Sequence, residues 1–452
     1  MSSSRRCVLR SLAGLLVCGQ APADNSVRVL ARNDQLNAQL STPVPQPYVA
    51  PYFTDNERGA EKFFNRFQRI GGVMIGAGFQ QNFTYLVHGR PELYVFFDIN
   101  PDVTEILVPF FGELMARARM RRDFLAALTG VPFSEHDVRR LLEPRPSPEN
   151  KETLGAYLAG VVAGFLSRRP EQERRRSFER QLGPIIARKV LSATRRAQLS
   201  TWFDLLEEDM LAGGKFFEQS ARASWIAGAD DARRDQLAGW LSTEENYQLV
   251  RRAWTDGRIV GITGDINGPS VGKLAQWLRK TGEAGPPRQV TFFYLSNIGA
   301  SIMGHEKPQY FAQMYRHLAQ LPISGRAVTL IAQGDNVAYL RTYAQARAFY
   351  DSLQDLDTNV MIRLVELPLS YSVLGNERDA LRKFTQELPA FARDPASYQE
   401  LLDQFMNAPR QSRPGDIAAF REWVQNRWPS IDVSSDPFRA LEAILTELAF
   451  LR

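Results

Sequence analysis

The sequence has few of the residues on which metal and thiol chemistry depend. In 452 residues there are two cysteines, Cys7 and Cys18, and four histidines. The histidines form no HExxH motif and no close pair, so no zinc site is predicted. The chain also lacks a P-loop lysine pattern and a Gly-x-Ser-x-Gly elbow. These absences argue against a zinc hydrolase, a P-loop nucleotide hydrolase and an α/β-hydrolase.

Long apolar runs are also absent. No segment approaches the roughly 20 consecutive apolar residues that a membrane-spanning helix needs, so we predict no membrane span. The first residues, MSSSRRCVLRSLAGLLVCGQAPADNS, instead resemble a twin-arginine export signal, with Ser4-Arg5-Arg6 ahead of a short apolar stretch. Ala21-Pro22-Ala23 fits a small-residue cleavage site, which predicts cleavage after Ala23 and an exported, periplasmic protein.

Two other interpretations of this segment stay open. It could be the amphipathic start of a cytoplasmic protein, or a lipoprotein signal in which Cys18 carries the lipid. Val17 disfavours the lipoprotein interpretation, because that position normally holds a small residue.

Removal of the signal would change the chemistry of the chain. Both cysteines would be lost, so no disulfide and no thiol nucleophile is expected. The formal charge would fall from +5 to +2, because the segment carries three arginines and no acidic residue. Such a small excess gives no argument for nucleic-acid binding.

Composition and apolar periodicity divide the chain into six segments. These are a signal peptide at 1–23, a proline-rich linker at 24–51, the first βαβ half of an α/β domain at 52–103, a helical insertion at 104–256, the second half of that domain at 257–375, and a helical C-terminal cap at 376–452. Prolines between 43 and 51 disfavour a helix and predict an extended tether. The insertion is also a candidate surface for a protein partner.

Apolar runs alternate with helical patterns from residue 257 to residue 369, which predicts a mostly parallel sheet. We expect one helix over 105–128, another over 339–353, and a closing strand over 359–369. Ligands of such sheets bind in the crevice outside the carboxyl ends of the strands. The predicted strand ends carry Gly76-Ala77-Gly78, Asp98, Gly264-Asp265, Ser296-Asn297 and Gly334-Asp335.

The first two of these strand ends have the spacing of a nucleotide-binding unit. Glycines at 76 and 78 would let a ligand approach the backbone closely. Asp98 lies 20 residues beyond Gly78, where an acidic residue accepts hydrogen bonds from ribose hydroxyls. The same residues could instead form a tight turn and a helix cap. A Mg²⁺ site at Asp98, Asp265 and Asp335 is less favoured than three separate caps.

The stretch VMIGAGFQQNFTYLVHGRPELYVFFDIN, followed by VGITGDINGP and TFFYLSNIG, resembles an uncharacterised bacterial family of exported proteins. The resemblance covers roughly residues 55 to 375 and implies a Rossmann-like αβα sandwich of the class I methyltransferase type. The predicted fold is thus α/β, with a mostly parallel sheet, a large helical insertion and a helical C-terminal extension. The matched positions that would bind a cofactor are Gly76, Gly78, Gln81, Asn82, Asp98, Asp265 and Asn297, with Phe83 and Tyr85 in the same motif.

Two signature motifs of the methyltransferase pattern are altered here, which bears on activity. Met74 stands where an acidic residue normally precedes the first glycine, and Gln80 stands at the third glycine position. Residues 297–300 lack the Asn/Asp-Pro-Pro-aromatic motif. S-adenosylmethionine is also a cytoplasmic metabolite, although the twin-arginine route can carry folded proteins with a bound cofactor.

Three hypotheses follow. The protein binds a small polar or nucleotide-like ligand at the strand ends, through Asn82 and Asp98. Alternatively it is an active S-adenosylmethionine-dependent methyltransferase, with Asp98 on the ribose and Asn297 near the transferred group. A third hypothesis is a non-catalytic envelope scaffold whose insertion binds a partner. The departures favour the first or third hypothesis, and a crevice filled by side chains would favour the third.

Overall fold

The structure is a computed structural model of the whole chain. It describes residues 22–42, 53, 60–142, 154–189, 195, 199, 201–211, 216–217, 239–281, 288–296, 298, 309–333, 336–344, 347 and 393–447. The strands are β1 Val73–Gly76, β2 Leu93–Asp98, β3 Ile259–Thr263, β4 Val290–Tyr294, β5 Ile323–Gln333 and β6 Asn336–Thr342.

Fifteen α-helices lie within the described residues. They are α1 Pro22–Leu40, α2 Phe64–Phe67, α3 Gln81–Gly89, α4 Val108–Arg117, α5 Arg121–Thr129, α6 Glu135–Leu142, α7 Leu154–Leu166, α8 Glu171–Ile186, α9 Trp202–Leu211, α10 Glu244–Thr255, α11 Pro269–Thr281, α12 Gln309–Leu318, α13 Pro395–Asn407, α14 Ile417–Arg427 and α15 Asp436–Glu447. Three short turns supplement them: 3₁₀ turns at Ala60–Phe63 and Arg410–Ser412, and a π-helical turn at Val103–Leu107.

The strands form one sheet in the order β3-β2-β1-β4-β5-β6. Five strands are parallel, and β6 pairs with β5 in the antiparallel sense. Every residue of β1, β2, β3 and β4 is buried, as expected for parallel strands covered by helices on both faces. The predicted Rossmann-like α/β sandwich is confirmed.

The chain divides into two compact units. Unit 1 comprises Met1–Asp55 and Ala77–Asp265, and unit 2 comprises Asn56–Gly76 and Ile266–Arg452. In unit 1, every described element between β2 and β3 is helical, in agreement with the pattern predicted for 104–256. Unit 2 contains β1, β4, β5 and β6 together with the C-terminal helices.

Each unit has its own aromatic core. In unit 1, Phe111 of α4 contacts six other described aromatic rings: Phe53, Phe79, Phe83, Phe110, Phe124 and Phe216. In unit 2, Phe67 packs against Phe292 of β4 at 4.7 Å between ring centroids. The helices α13, α14 and α15 share a separate cluster that contains Phe405, Phe420 and Phe438.

Three predicted elements were wrong. Residues 24–40 of the segment predicted as an extended linker belong to α1, because their apolar side chains recur at helical spacing and bury one face. The prolines of that segment, between 43 and 51, lie outside the described residues. The predicted helix 105–128 is broken into the π-helical turn, α4 and α5. Residues 339–342, predicted as helical, belong to β6, where pairing with β5 overrides helix propensity. The predicted strand 359–369 lies outside the described residues.

Candidate functional site

The glycine turn after β1 is closed by hydrogen bonds within the chain. The backbone N–H of Gly78 donates to Oδ2 of Asp98 at 2.9 Å. Gly78 has φ +81°, a left-handed conformation that a residue with a side chain adopts only under strain. The N–H groups of Asn82 and Phe83 donate to the carbonyls of Phe79 and Gln80. These three N–H groups therefore serve the turn itself, whereas in a dinucleotide-binding turn such groups face a phosphate.

Asn82 joins this turn to β2. Its amide group donates to the carbonyl of Ala77 at 2.8 Å, and its Oδ1 accepts from the hydroxyl of Tyr94 at 2.7 Å. Asn82 and Tyr94 are both fully buried. The residue predicted to orient a ligand thus holds the glycine turn against the second strand.

A run of acidic and amide side chains follows β2. Asp98 Oδ1 accepts from the N–H of Asn100 at 2.8 Å, and Asn100 Oδ1 accepts from the N–H of Asp102 at 2.9 Å. Asp98, Asn100 and Asp102 are all buried. Each side chain fixes the backbone two residues ahead, which is the Asx-turn pattern. The three residues therefore form one preorganised polar segment.

This segment continues into a cluster at the ends of β2 and β3. Arg195 donates to Asp102 at 2.6 Å and lies 3.4 Å from Glu105. The Thr263 hydroxyl lies 2.6 Å from that of Thr104 and 3.3 Å from Oε1 of Glu105. We call Asp98, Asp102, Glu105, Arg195 and Thr263 the acidic cluster. Its three carboxylates outnumber its one arginine.

A π-helical turn shapes one wall of the acidic cluster. This turn, Val103–Leu107, carries Thr104 and Glu105, and π-turns inside helices occur frequently at functional sites. Its backbone approaches β3 so closely that a Cβ at Gly261 would overlap with the carbonyl oxygen of Thr104. Gly261 therefore permits this approach.

The predicted site residues have different outcomes. Gly78, Asn82 and Asp98 lie together in one network, as described above. Gln81 is buried in the first turn of α3, and Gly76 is the buried last residue of β1. Asp265 is exposed next to Gly264, whose N–H donates to the backbone carbonyl of Asp98. Asn297 and Gly334-Asp335 lie outside the described residues.

Four residues of the acidic cluster were not predicted as site residues from the sequence: Asp102, Glu105, Arg195 and Thr263. The three-residue spacing of Asp102 and Glu105 was a usable sign that they share one helical face. Arg195 had no such sign, because it lies 93 residues from Asp102 in the sequence. Ile99, between Asp98 and Asn100, exposes 43% of its surface.

The helical insertion covers the other side of the glycine turn. Phe79 meets Phe111 at 4.7 Å between centroids, and the amide of Gln80 donates to the carbonyl of Phe216 at 2.9 Å. Phe83 of α3 contacts Trp240 at 5.0 Å. Side chains of the insertion thus occupy the surroundings of the turn.

Within the described ranges there is neither a metal-binding group of side chains nor a membrane-spanning helix. No three His, Cys, Asp or Glu side chains in them are placed to hold one metal ion. None of the described helices combines the length and the apolar character required to cross a bilayer.

The comparison with protein families gives one match. A family described as a domain of unknown function, DUF7790, matches residues 52–364, well over half of the chain. The chain belongs to the DUF7790 family. The DUF7790 match includes the glycine turn, the acidic cluster and all six strands, whereas α1 and α13 to α15 lie outside it. No curated protein matches the chain.

Proposed function

We propose that this DUF7790 protein binds a small polar or nucleoside-like ligand at the carboxyl ends of β2 and β3. The observation that carries the proposal is the acidic cluster at this edge, beside the exposed side chain of Ile99. Ligands of doubly wound sheets bind outside the carboxyl ends of the strands.

The chemistry of the cluster narrows the ligand class. Carboxylates accept hydrogen bonds from ligand hydroxyl and amino groups, and the cluster contains three carboxylates. Ile99 offers an apolar surface for a ring. The excess of carboxylates over Arg195 disfavours anions. We therefore propose a neutral or cationic ligand that bears hydroxyl or amino groups.

The cofactor candidates differ in whether they carry phosphate. A pyrophosphate would need the N–H groups of the glycine turn, and those of Gly78, Asn82 and Phe83 already donate within the chain. Adenosine and S-adenosylmethionine carry no phosphate, whereas NAD carries two. S-adenosylmethionine is thus compatible with the cluster as a bound ligand, and methyl transfer is not part of the proposal.

The test is binding to the full-length protein, measured by native mass spectrometry and by thermal shift. The probes are adenosine, S-adenosylmethionine and NAD. Ile99→Glu places a carboxylate at the proposed ring surface, and Leu211→Glu is the matched control, since Leu211 is 37% exposed in α9. We expect a phosphate-free probe to bind the wild type and Leu211→Glu, and to bind Ile99→Glu at least about tenfold more weakly. Equal binding to both variants would contradict the proposal.

A second candidate function is a non-catalytic scaffold. The specific observation in its favour is the burial of the glycine turn by Phe111, Phe216 and Trp240 of the insertion. In that case the insertion would present the surface for a protein partner. The absence of any adduct in the purified protein, with no thermal shift from all three probes, would leave the scaffold as the better hypothesis.

We also propose that the protein is exported to the periplasm. Ser4-Arg5-Arg6 and the cleavage pattern at Ala21-Pro22-Ala23 support this. The test is cell fractionation of the wild type and an Arg5→Lys/Arg6→Lys variant, with the intact mass of the product. We expect a periplasmic chain that begins at Asp24 for the wild type only. A wild-type chain that keeps residues 1–23 in the cytoplasm would overturn the proposal.

A further inference from the structure

The inference concerns the outer edge of β3, the edge that faces away from β2. In a parallel strand, alternate residues direct both backbone groups to the same side. The backbone of Arg258 and of Gly264 bonds with the β2 side, so the odd-numbered residues 259, 261 and 263 direct theirs to the other edge. In the described sheet β3 is the terminal strand. A bare edge of this kind is a template for pairing with another chain.

Side chains of the N-terminal segment occupy this edge. Asn33 of α1 donates to the carbonyl of Ile259 at 2.9 Å and accepts from the N–H of Gly261 at 3.1 Å. Asn37 donates to the carbonyl of Gly261 at 3.0 Å. Both of these asparagines are buried.

The same pattern continues just beyond the helix. The Ser41 hydroxyl accepts from the N–H of Thr263 at 2.8 Å, and the N–H of Thr42 donates to the carbonyl of Thr263 at 3.1 Å. The backbone groups of Gly261 and Thr263 that face away from β2 are thus all paired. These partners take the place of the backbone N–H and carbonyl groups that a further strand would otherwise supply.

The spacing explains how a helix can do this. Asn33, Asn37 and Ser41 follow at intervals of four residues, which corresponds to about 6 Å per interval along a helix. Residues on one edge of a strand repeat every two positions, or about 6.6 Å. The two repeats differ by well under 1 Å per step, which side-chain rotation can absorb over three positions.

Other contacts hold α1 in place. Leu30, Leu36 and Leu40 are buried, and Asp34 pairs with Arg188 at 2.7 Å and with Lys189 at 2.6 Å. These contacts position the helix, but they do not satisfy the backbone of β3. Asn33, Asn37 and Ser41 have that separate role.

We infer that Asn33, Asn37 and Ser41 form an edge lock that keeps β3 from pairing with β3 of a second copy of this chain. Residues Ile259–Thr263 carry no charge and no proline, so nothing in the strand itself would oppose pairing. Two identical edges related by a twofold axis can pair in the antiparallel sense. The lock therefore sets the oligomeric state of the protein.

The test uses the full chain with Asn33→Leu/Asn37→Leu, which keeps the helix propensity and removes the edge hydrogen bonds. We expect the amides of Gly261 and Thr263 to exchange with solvent about tenfold faster or more at low protein concentration. Those of Val260 and Ile262, on the β2 side, should keep their protection. In sedimentation velocity we expect a concentration-dependent dimer for this variant and a monomer for the wild type.

The matched control is Gln35→Leu/Gln39→Leu. These residues have the same spacing on the exposed face of α1. The control therefore adds the same two leucine side chains and leaves Asn33, Asn37 and Ser41 unchanged. We expect it to remain a monomer with unchanged exchange. If it dimerises as strongly as the first variant, or if the first variant stays monomeric with protected Gly261, the inference is wrong.

A milder substitution covers the case in which the double variant does not fold. Asn33→Ala removes the partners of Ile259 and Gly261 only. We expect faster exchange at Gly261, with Ile262 unchanged. An unchanged Gly261 amide in this variant would overturn the inference as well.

Discussion

Gly261 illustrates how much one residue without a side chain can decide. Its backbone bonds with Asn33 and Asn37 on the strand edge, and its Cα faces the carbonyl of Thr104 in the π-helical turn. A methyl group there would force this turn away from β3. The acidic cluster would then lose the alignment of Thr104 with Thr263.

We therefore predict that Gly261→Ala lowers the free energy of unfolding by about 1–3 kcal/mol, the usual cost of overpacking a core. Gly160→Ala is the control. Gly160 is exposed in α7 with nothing near its added methyl group, so that substitution should stabilise by up to about 1 kcal/mol. Urea unfolding of both variants gives the comparison, and equal stability would contradict the steric argument.

Asp137 provides the second prediction at this scale. Both its oxygens accept from Arg168 at 2.8 Å, and it shares a reciprocal cap with Ser134 at the start of α6. These hydrogen bonds, that of Arg168 foremost, hold the pKa of Asp137 well below its ordinary value. Because the folded-state pKa is depressed, its stabilisation is complete above about pH 4 and is lost as the pH falls further.

The measurement is urea unfolding of the wild type and Asp137→Asn at pH 7 and at pH 3. At pH 7 we expect the variant to be less stable by about 1–3 kcal/mol, because charge-assisted hydrogen bonds are lost. At pH 3 the difference should shrink. Glu179→Gln, on an exposed face of α8, should match the wild type at both values. A constant difference would remove the electrostatic explanation.

The Gly78–Asp98 pair shows what spacing can and cannot predict. Gly78 and Asp98 are 20 residues apart in the sequence and form a hydrogen bond, whereas the role of Asp98 toward a ribose stays a prediction. The spacing alone could not distinguish a carboxylate that binds a ribose from one that accepts a backbone N–H. That distinction depends on where Asn100 and the turn place their donors, which is a property of the folded chain.

At the scale of elements, buried strands were the easiest to predict. β2 and β4 are apolar on both faces and are bounded by turn residues, so their sequences have few other solutions. Elements defined by a partner were missed. β6 exists because β5 offers an edge, and the part of α1 that contacts β3 is polar, so composition alone suggested a linker.

The pair of Arg421 in α14 and Glu442 in α15 gives an element-scale prediction. The two hydrogen bonds are 2.5 and 2.7 Å, and the carboxylate is buried while the arginine is half exposed. We expect Arg421→Met to lower the free energy of unfolding by about 1–3 kcal/mol, because it leaves a buried charge unpaired. Arg421→Met/Glu442→Leu should recover most of the loss. Thermal unfolding measures both, and a double variant no better than the single one would contradict this cause.

For the whole molecule, the distribution of cysteine allows a direct prediction. Cys7 and Cys18 both precede α1, so no disulfide can join the two compact units internally. We expect the thermal midpoint to be the same with and without a reductant, and Cys7→Ser/Cys18→Ser to match the wild type. Calorimetry tests this, and a midpoint that falls in reductant would show that a cross-link stabilises the fold.

The start of α1 has a consequence for the order of maturation. If the leader is removed after Ala23, the bond that is cut lies in the first turn of this helix. Proteases act on segments that have opened, so this turn must be unwound when it is cut. The first buried side chain described in α1 is Val29, more than a turn further on. With cleavage at that bond, the predicted signal peptide can be released while the rest of the helix stays packed.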